Sequence, residues 1–112
     1  MLDRAHRLTK DIDFEKLAKS GRAVYGGELA LKWRKNDLAQ SRFGFVISTK
    51  VSKKAVVRNK IKRRMRAIVR LSLSKIKPGY DIMILTRTEI VKLSYAELKS
   101  KLELLLKQAS LL

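Results

Sequence analysis

Apolar residues recur at helical spacing in three stretches of this chain and alternate, or run together, in three others. From Asp11 to Ser20, Ile12, Phe14 and Leu17 punctuate a polar background and Gly21 follows, which predicts a short amphipathic helix with a glycine stop. Ala23 to Arg34 alternates in part, with Leu29, Leu31 and Trp33 on one face and Ala30, Lys32 and Arg34 on the other. Gly26-Gly27 interrupts it, so a bent or broken strand is expected. Asn36-Asp37 is turn chemistry. Arg42 to Ser48 reads as a second long strand, expected to complete an antiparallel hairpin with the first.

Lys54 to about Leu73 is the longest helical pattern. Advancing about 100° per residue brings Val57, Ile61, Met65, Ile68 and Leu71 to one face and Asn59, Lys62, Arg63, Arg66 and Arg70 to the other. Arg64 falls on the apolar side, where it must either snorkel past the core edge or pair with an acid from elsewhere. Pro78-Gly79 closes the helical region, and Tyr80 to Thr86 is apolar enough to be a central strand. Ser94-Tyr95-Ala96-Glu97 fits a capping box, with Tyr95, Leu98, Leu102, Leu105 and Ala109 on one stripe of the helix that follows. The order helix, strands, helix, strand, helix is that of an α+β fold with helices packed on a sheet.

Charge changes this picture more than composition does. No acid lies between Asp37 and Asp81, and that gap holds thirteen of the chain's 27 basic residues, including Lys50, Lys53, Lys54, Arg58, Lys60 and Lys62. The formal net charge is +17. Charge of one sign opposes compaction, and a folded chain that keeps it is suited to hold a polyanion. With 46% hydrophobic residues and a single proline the chain is not a disordered polycation, and its 112 residues make one domain, 1–112. An ordinary solvated helix mixes both signs in i,i+4 pairs, whereas the long helix has no acid to pair with. Its cationic face therefore points to nucleic acid, bound by counterion release and bidentate arginine contacts. Asn59 is neutral, and on spacing alone it equally suits phosphate or ribose contact or a bond to its own backbone.

Other chemistries are poorly supplied. There is no cysteine, and His6 is the only histidine, which rules out disulfides and multi-histidine metal sites and leaves a His-based nucleophilic pair resting on one residue. Asp11, Asp13 and Glu15 cluster where a helix N-terminus favours acids anyway, and the remaining carboxylates are scattered. No apolar run spans a membrane or makes a signal peptide, so an unprocessed cytoplasmic protein is expected. Among the aromatics, most of which occupy core-like positions, Phe14 is the best candidate to stack on an unpaired base.

Gly44-Phe45-Val46-Ile47-Ser48-Thr49-Lys50 followed by Ala55-Val56-Val57-Arg58-Asn59-Lys60-Ile61-Lys62-Arg63-Arg64-Met65-Arg66 closely resembles the signature of the protein subunit of bacterial ribonuclease P. Arg7-Leu8, Phe14, Gly21 and Asp81 extend the match along nearly the whole chain. The resemblance implies a two-layer sandwich of a four-stranded mixed sheet and three helices, with a left-handed βαβ crossover carrying the basic helix. It also implies a heterodimer of one protein with one ribonuclease P RNA. In that assembly the RNA holds the Mg²⁺, which the protein alone does not bind, and cleaves the 5′ leader from precursor tRNA, so the protein has no active site of its own. RNA contacts are expected at Lys50, Lys54, Arg58, Asn59, Lys60, Lys62, Arg63, Arg66 and Arg70, and leader contacts at Phe14 and Lys32. The chain departs from the family pattern at Lys60, which stands for an arginine, and at Lys53-Lys54, which stands for Gly-Asn. Ala18 and Lys32 also occupy positions that often carry aromatics, so the leader cleft is expected to lean on charge more than on stacking. Competing readings are a general RNA-binding structural protein and a membrane-surface protein built on the basic helix. The second needs an apolar face that the nearby strands already require.

Overall fold

The computed structural model describes residues 4–112. After a single 3-10 turn at Arg4–His6, the elements are α1 (Asp11–Ser20), β1 (Arg22–Gly26), β2 (Leu29–Lys35), β3 (Arg42–Val46), α2 (Ala55–Ser72), β4 (Tyr80–Thr86), a second 3-10 turn at Thr88–Lys92, and α3 (Tyr95–Gln108). The Gly26-Gly27 interruption marks a hairpin turn at Gly27-Glu28. Gly27 takes φ 65°, a conformation that costs a residue without a Cβ little, and β1 folds back on β2 from Arg22↔Trp33 to Gly26↔Leu29.

The sheet order is β1-β2-β4-β3. This corrects the expected hairpin of the two long strands. β2 instead pairs antiparallel with β4, and β3 runs parallel to β4 at the sheet edge. A parallel partner needs a crossover, and α2 supplies it. β4, buried through Asp81–Ile84, is central as its apolar run predicted. The result is the expected α+β fold of a four-stranded mixed sheet and three helices.

Each face of the sheet has its own core. Leu29, Leu31, Trp33, Phe43, Ile82 and Ile84 pack with Ile61, Met65, Ile68 and Val69 of α2 and Leu98, Leu102, Leu105 and Leu106 of α3. On the other face α1 lays Leu17 and Phe14 over Met83 and Leu85, with Leu8 beside them. Three residues of the predicted apolar helix faces are exposed. Ile12 of α1 is 57% exposed. Leu71 is 65% exposed, because the buried stripe of α2 turns toward Val69 and Ser72 rather than Leu71. Tyr95 is 37% exposed, and Leu106 takes the corresponding place in the core of α3. The capping box forms as predicted: Ser94 Oγ accepts from the Glu97 N–H at 3.2 Å, and Glu97 Oε1 accepts from the Ser94 N–H at 3.0 Å.

Candidate nucleic-acid interface

α2 begins without a side-chain cap at Lys54 and without an acid in its first turn. Its free N–H groups leave a partial positive charge at that end, and exposed Lys53 and Lys54 add to it. Asn59, Lys60, Arg63 and Arg70 are exposed, while Lys62 and Arg66 are half-buried along the edge that faces the sheet. The acid-free face is therefore continuous over the 18 residues of the helix. Arg58 stands apart from the rest, half-buried, with Nη1 donating to Ser52 O at 2.7 Å. One arm of its guanidinium braces the loop that enters α2, and its other N–H groups are left for an acceptor outside. The Asn59 side chain makes no hydrogen bond to another described residue, so of its two readings the side-chain bond to its own backbone does not form. Arg64 is half-buried and has no carboxylate partner among the described residues, which is the snorkelling alternative. Lys50 is exposed in the β3–α2 loop.

Next to this face lies a groove around β3. Gly44 makes it possible. A Cβ there would come within 2.5 Å of Phe14 Cε1 and Cζ, so the ring of Phe14 occupies the space a side chain would need. A hollow of about 200 Å³ is lined by Arg7, Thr9, Phe14, Phe45, Lys62 and Arg66. A larger, more open and apolar one of about 530 Å³ is lined by Phe14, Ala18, Phe45, Val46, Lys62 and Leu85. Phe14, Phe45 and Lys62 border both, which joins the groove to the cationic face of α2.

Lys32 lies on the α1 side of the sheet in the row Lys32–Met83–Gly44. It is two strands, about 10 Å, from Gly44, and lines neither hollow. The next row, Tyr25–Ala30–Leu85–Val46, follows from the same register. Tyr25 is 65% exposed and stands on that face, a position that alternation alone did not single out. Its signal was the glycine pair, which as a hairpin turn sets Tyr25 opposite Ala30.

Not every cation in the acid-free gap faces outward. Arg42 binds Asp81 through both carboxylate oxygens, at 2.8 and 2.7 Å, and lies 3.4 Å from Asp13 of α1. Asn36 Nδ2 donates to the same Asp81 at 3.0 Å. The bidentate bond to Asp81 raises the Arg42 pKa above its ordinary value, against the opposing effect of partial burial. Asp13 and Asp81 are thus committed to locking α1 and β3 onto β4, whereas Glu15 of α1 lines the larger hollow. Among the described residues no three acids or histidines converge to hold a metal ion. Among the described residues no helix is long and apolar enough to cross a membrane.

A small basic α+β protein with one acid-free helix face beside an aromatic groove is the class these features define. The sequence profile of the Ribonuclease P family matches residues 2–110. The ribonuclease P protein component of a Cyanothece strain is 38% identical over an alignment covering 100% of this chain and 98% of that protein. That of a Picosynechococcus strain is 40% identical, covering 96% and 93%. Among solved structures, the RNase P protein of Staphylococcus aureus superposes with a TM-score of 0.89 at 29% identity, covering 96% of this chain and 98% of that one. The RNase P protein of Thermotoga maritima gives 0.84 at 32% identity, covering 91% and 96%. The chain belongs to the ribonuclease P protein component family, whose function is tRNA processing by a ribonuclease.

Proposed function

We propose that this protein is the accessory subunit of a ribonucleoprotein ribonuclease P. In this reading it binds the catalytic RNA through α2 and the 5′ leader of precursor tRNA in the groove around β3. The observation that carries the reading is the junction of the two surfaces, since Lys62 and Arg66 belong both to the acid-free helix face and to the hollow that Phe14 and Phe45 line. A polyanion on the helix displaces counterions from Lys54, Lys60, Lys62, Arg63, Arg66 and Arg70. Asn59 and the open arm of Arg58 add directional hydrogen bonds. A single-stranded leader leaving that surface enters a groove with an aromatic ring on one wall and apolar sheet on its floor, which is how unpaired bases are held without sequence readout. Lys32 and Tyr25 extend the same sheet face beyond the groove and supply a cation and an aromatic further along the strand's path.

Catalysis belongs to the RNA, with Mg²⁺ held there, and one protein pairs with one RNA. The protein's contribution is to offset phosphate repulsion between the RNA and its substrate. The purified RNA-free protein should leave precursor tRNA intact, and adding it to a ribonuclease P RNA at low Mg²⁺ should restore leader removal. Metal-dependent cleavage by rigorously RNA-free protein would overturn this reading. Sequencing the RNA that copurifies separates it from a general RNA-binding role: one dominant structured RNA is expected, and ribosomal RNA would point the other way.

A further inference from the structure

A second concavity lies at the opposite end of the sheet from the groove around β3. The strand register pairs Arg22 with Trp33 and Lys35 with Tyr80, and alternation puts these four side chains on one face where β2 ends and β4 begins. Val46 and Leu85, which line the groove, pair near the other end of β4. α3 stops above this second end. Ser110 turns through φ 59°, the Leu111 N–H bonds Leu106 O at 2.9 Å, and Leu111 O accepts from the Lys77 N–H at 2.8 Å. The returning chain roofs a cavity of about 380 Å³, and Arg22, Arg34, Lys35 and Lys77 line it together with Trp33 and Tyr80.

The four cations arrive from β1, β2 and the loop before β4, so their convergence is a product of the fold. None forms an ion pair with a described residue, and no carboxylate lines the cavity. Asp13 and Asp81 nearby are tied to Arg42. Asp37 lines an adjoining hollow with Arg34 and Lys35. Ser20 Oγ accepts from Arg34 Nη1 at 3.1 Å and holds that guanidinium in place.

We propose that this cavity binds the phosphates of an RNA segment separate from the one on α2. Like charges gathered in a concave site focus their field, and the complement they select is a chain of negative charges. Trp33 is only 8% exposed, so its ring is a wall of the cavity and not a stacking platform. The recognition is therefore of backbone and not of base. Because no residue of α2 lines it, the site stands or falls independently of the helix as an RNA-binding element.

Trp33 is the only tryptophan in the chain, so its emission reports this cavity. The full-length protein would be titrated with 5′-phosphorylated hexauridylate, and a saturable change in Trp33 emission is expected. The exposed pair Arg22→Ala/Lys77→Ala should weaken that binding about tenfold and make its salt dependence shallower by about 1.4 units, for two phosphates of a single strand. Lys62→Ala/Arg66→Ala should leave the affinity read by Trp33 within about twofold, since those cations serve a different surface. The proposal is overturned if hexauridylate leaves Trp33 emission unchanged, or if the helix pair and not the cavity pair removes the signal. It is also overturned if inorganic phosphate at the same concentration gives the same saturation, which would make this a small-anion site.

Discussion

Phe14 and Gly44 form a single packing unit, because a methyl group at position 44 would overlap the ring at 2.5 Å. Gly44→Ala should lower stability by about 1–3 kcal/mol, the usual cost of overpacking, read as a drop in Tm. In the Phe14→Ala background the same substitution should cost less, so a double-mutant cycle should show strong coupling. Additive effects would mean that β3, and not the ring, absorbs the clash. Phe14 also packs against the cluster of Leu8, Leu17 and Met83, so it is partly a core residue. The test of its proposed stacking role is therefore differential. Phe14→Ala should weaken precursor tRNA binding by about 1–3 kcal/mol, the usual cost of removing one base–aromatic stack, while mature tRNA binds as before. Equal weakening for both substrates would reduce Phe14 to a core residue. The close approach of Phe14 was legible in principle, since a glycine inside a strand marks a place where another group comes near. Which neighbour approaches is not, because α1 lies thirty residues away in sequence and no local pattern couples the two. The fate of Arg42 was hidden for the same reason: its distance from Asp81 along the chain concealed a bidentate pair.

At the scale of the element, α2 was the most legible part of the chain, since its period, its charge and its stop all lie within one segment. Only its rotation was misjudged, by the choice of Leu71 over Val69. A helical wheel weighs residues without knowing which neighbour will cover them. If α2 binds RNA, Lys62→Ala and Arg66→Ala should each make the salt dependence of that binding shallower by about one unit for every phosphate the helix no longer neutralises. Asn59→Ala should weaken binding with the slope unchanged, and filter binding across a salt series distinguishes the two outcomes. α3 carries a different test. The Ser94 backbone and side chain hold the Glu97 carboxyl below its ordinary value of 4.5, and the hydrogen bond from Lys101 does the same for Glu28. Both folded-state values lie below the unfolded one. Their stabilisation is therefore complete above about pH 4.5 and is lost as pH falls through the lowered values. Thermal melts should show Tm falling below that pH, and Glu97→Gln with Glu28→Gln should flatten the fall.

For the whole molecule, the strands were found along the chain but their partners were not. Alternation marks β2 and β3 equally well and says nothing of who pairs with whom. Proximity in sequence favoured a hairpin, yet β3 lies parallel to β4 and β2 is joined to it from the other side. The family signature anticipated the mixed sheet because it encodes the crossover that local patterns cannot. That strand order has a consequence for how the chain is made. β4 is the last strand in the sequence and the only one that touches both β2 and β3. A nascent chain that has not yet released Tyr80–Thr86 from the ribosome holds the β1–β2 hairpin, β3 and both earlier helices without the strand that pairs with both β2 and β3. Its basic helix is already synthesised while its core is still open. Folding must then wait for one late segment and bring many distant parts of the chain together at once, which makes it slower than local helix formation. During that wait the most cationic stretch of the chain lies beside ribosomal RNA, before it has a folded surface with which to discriminate.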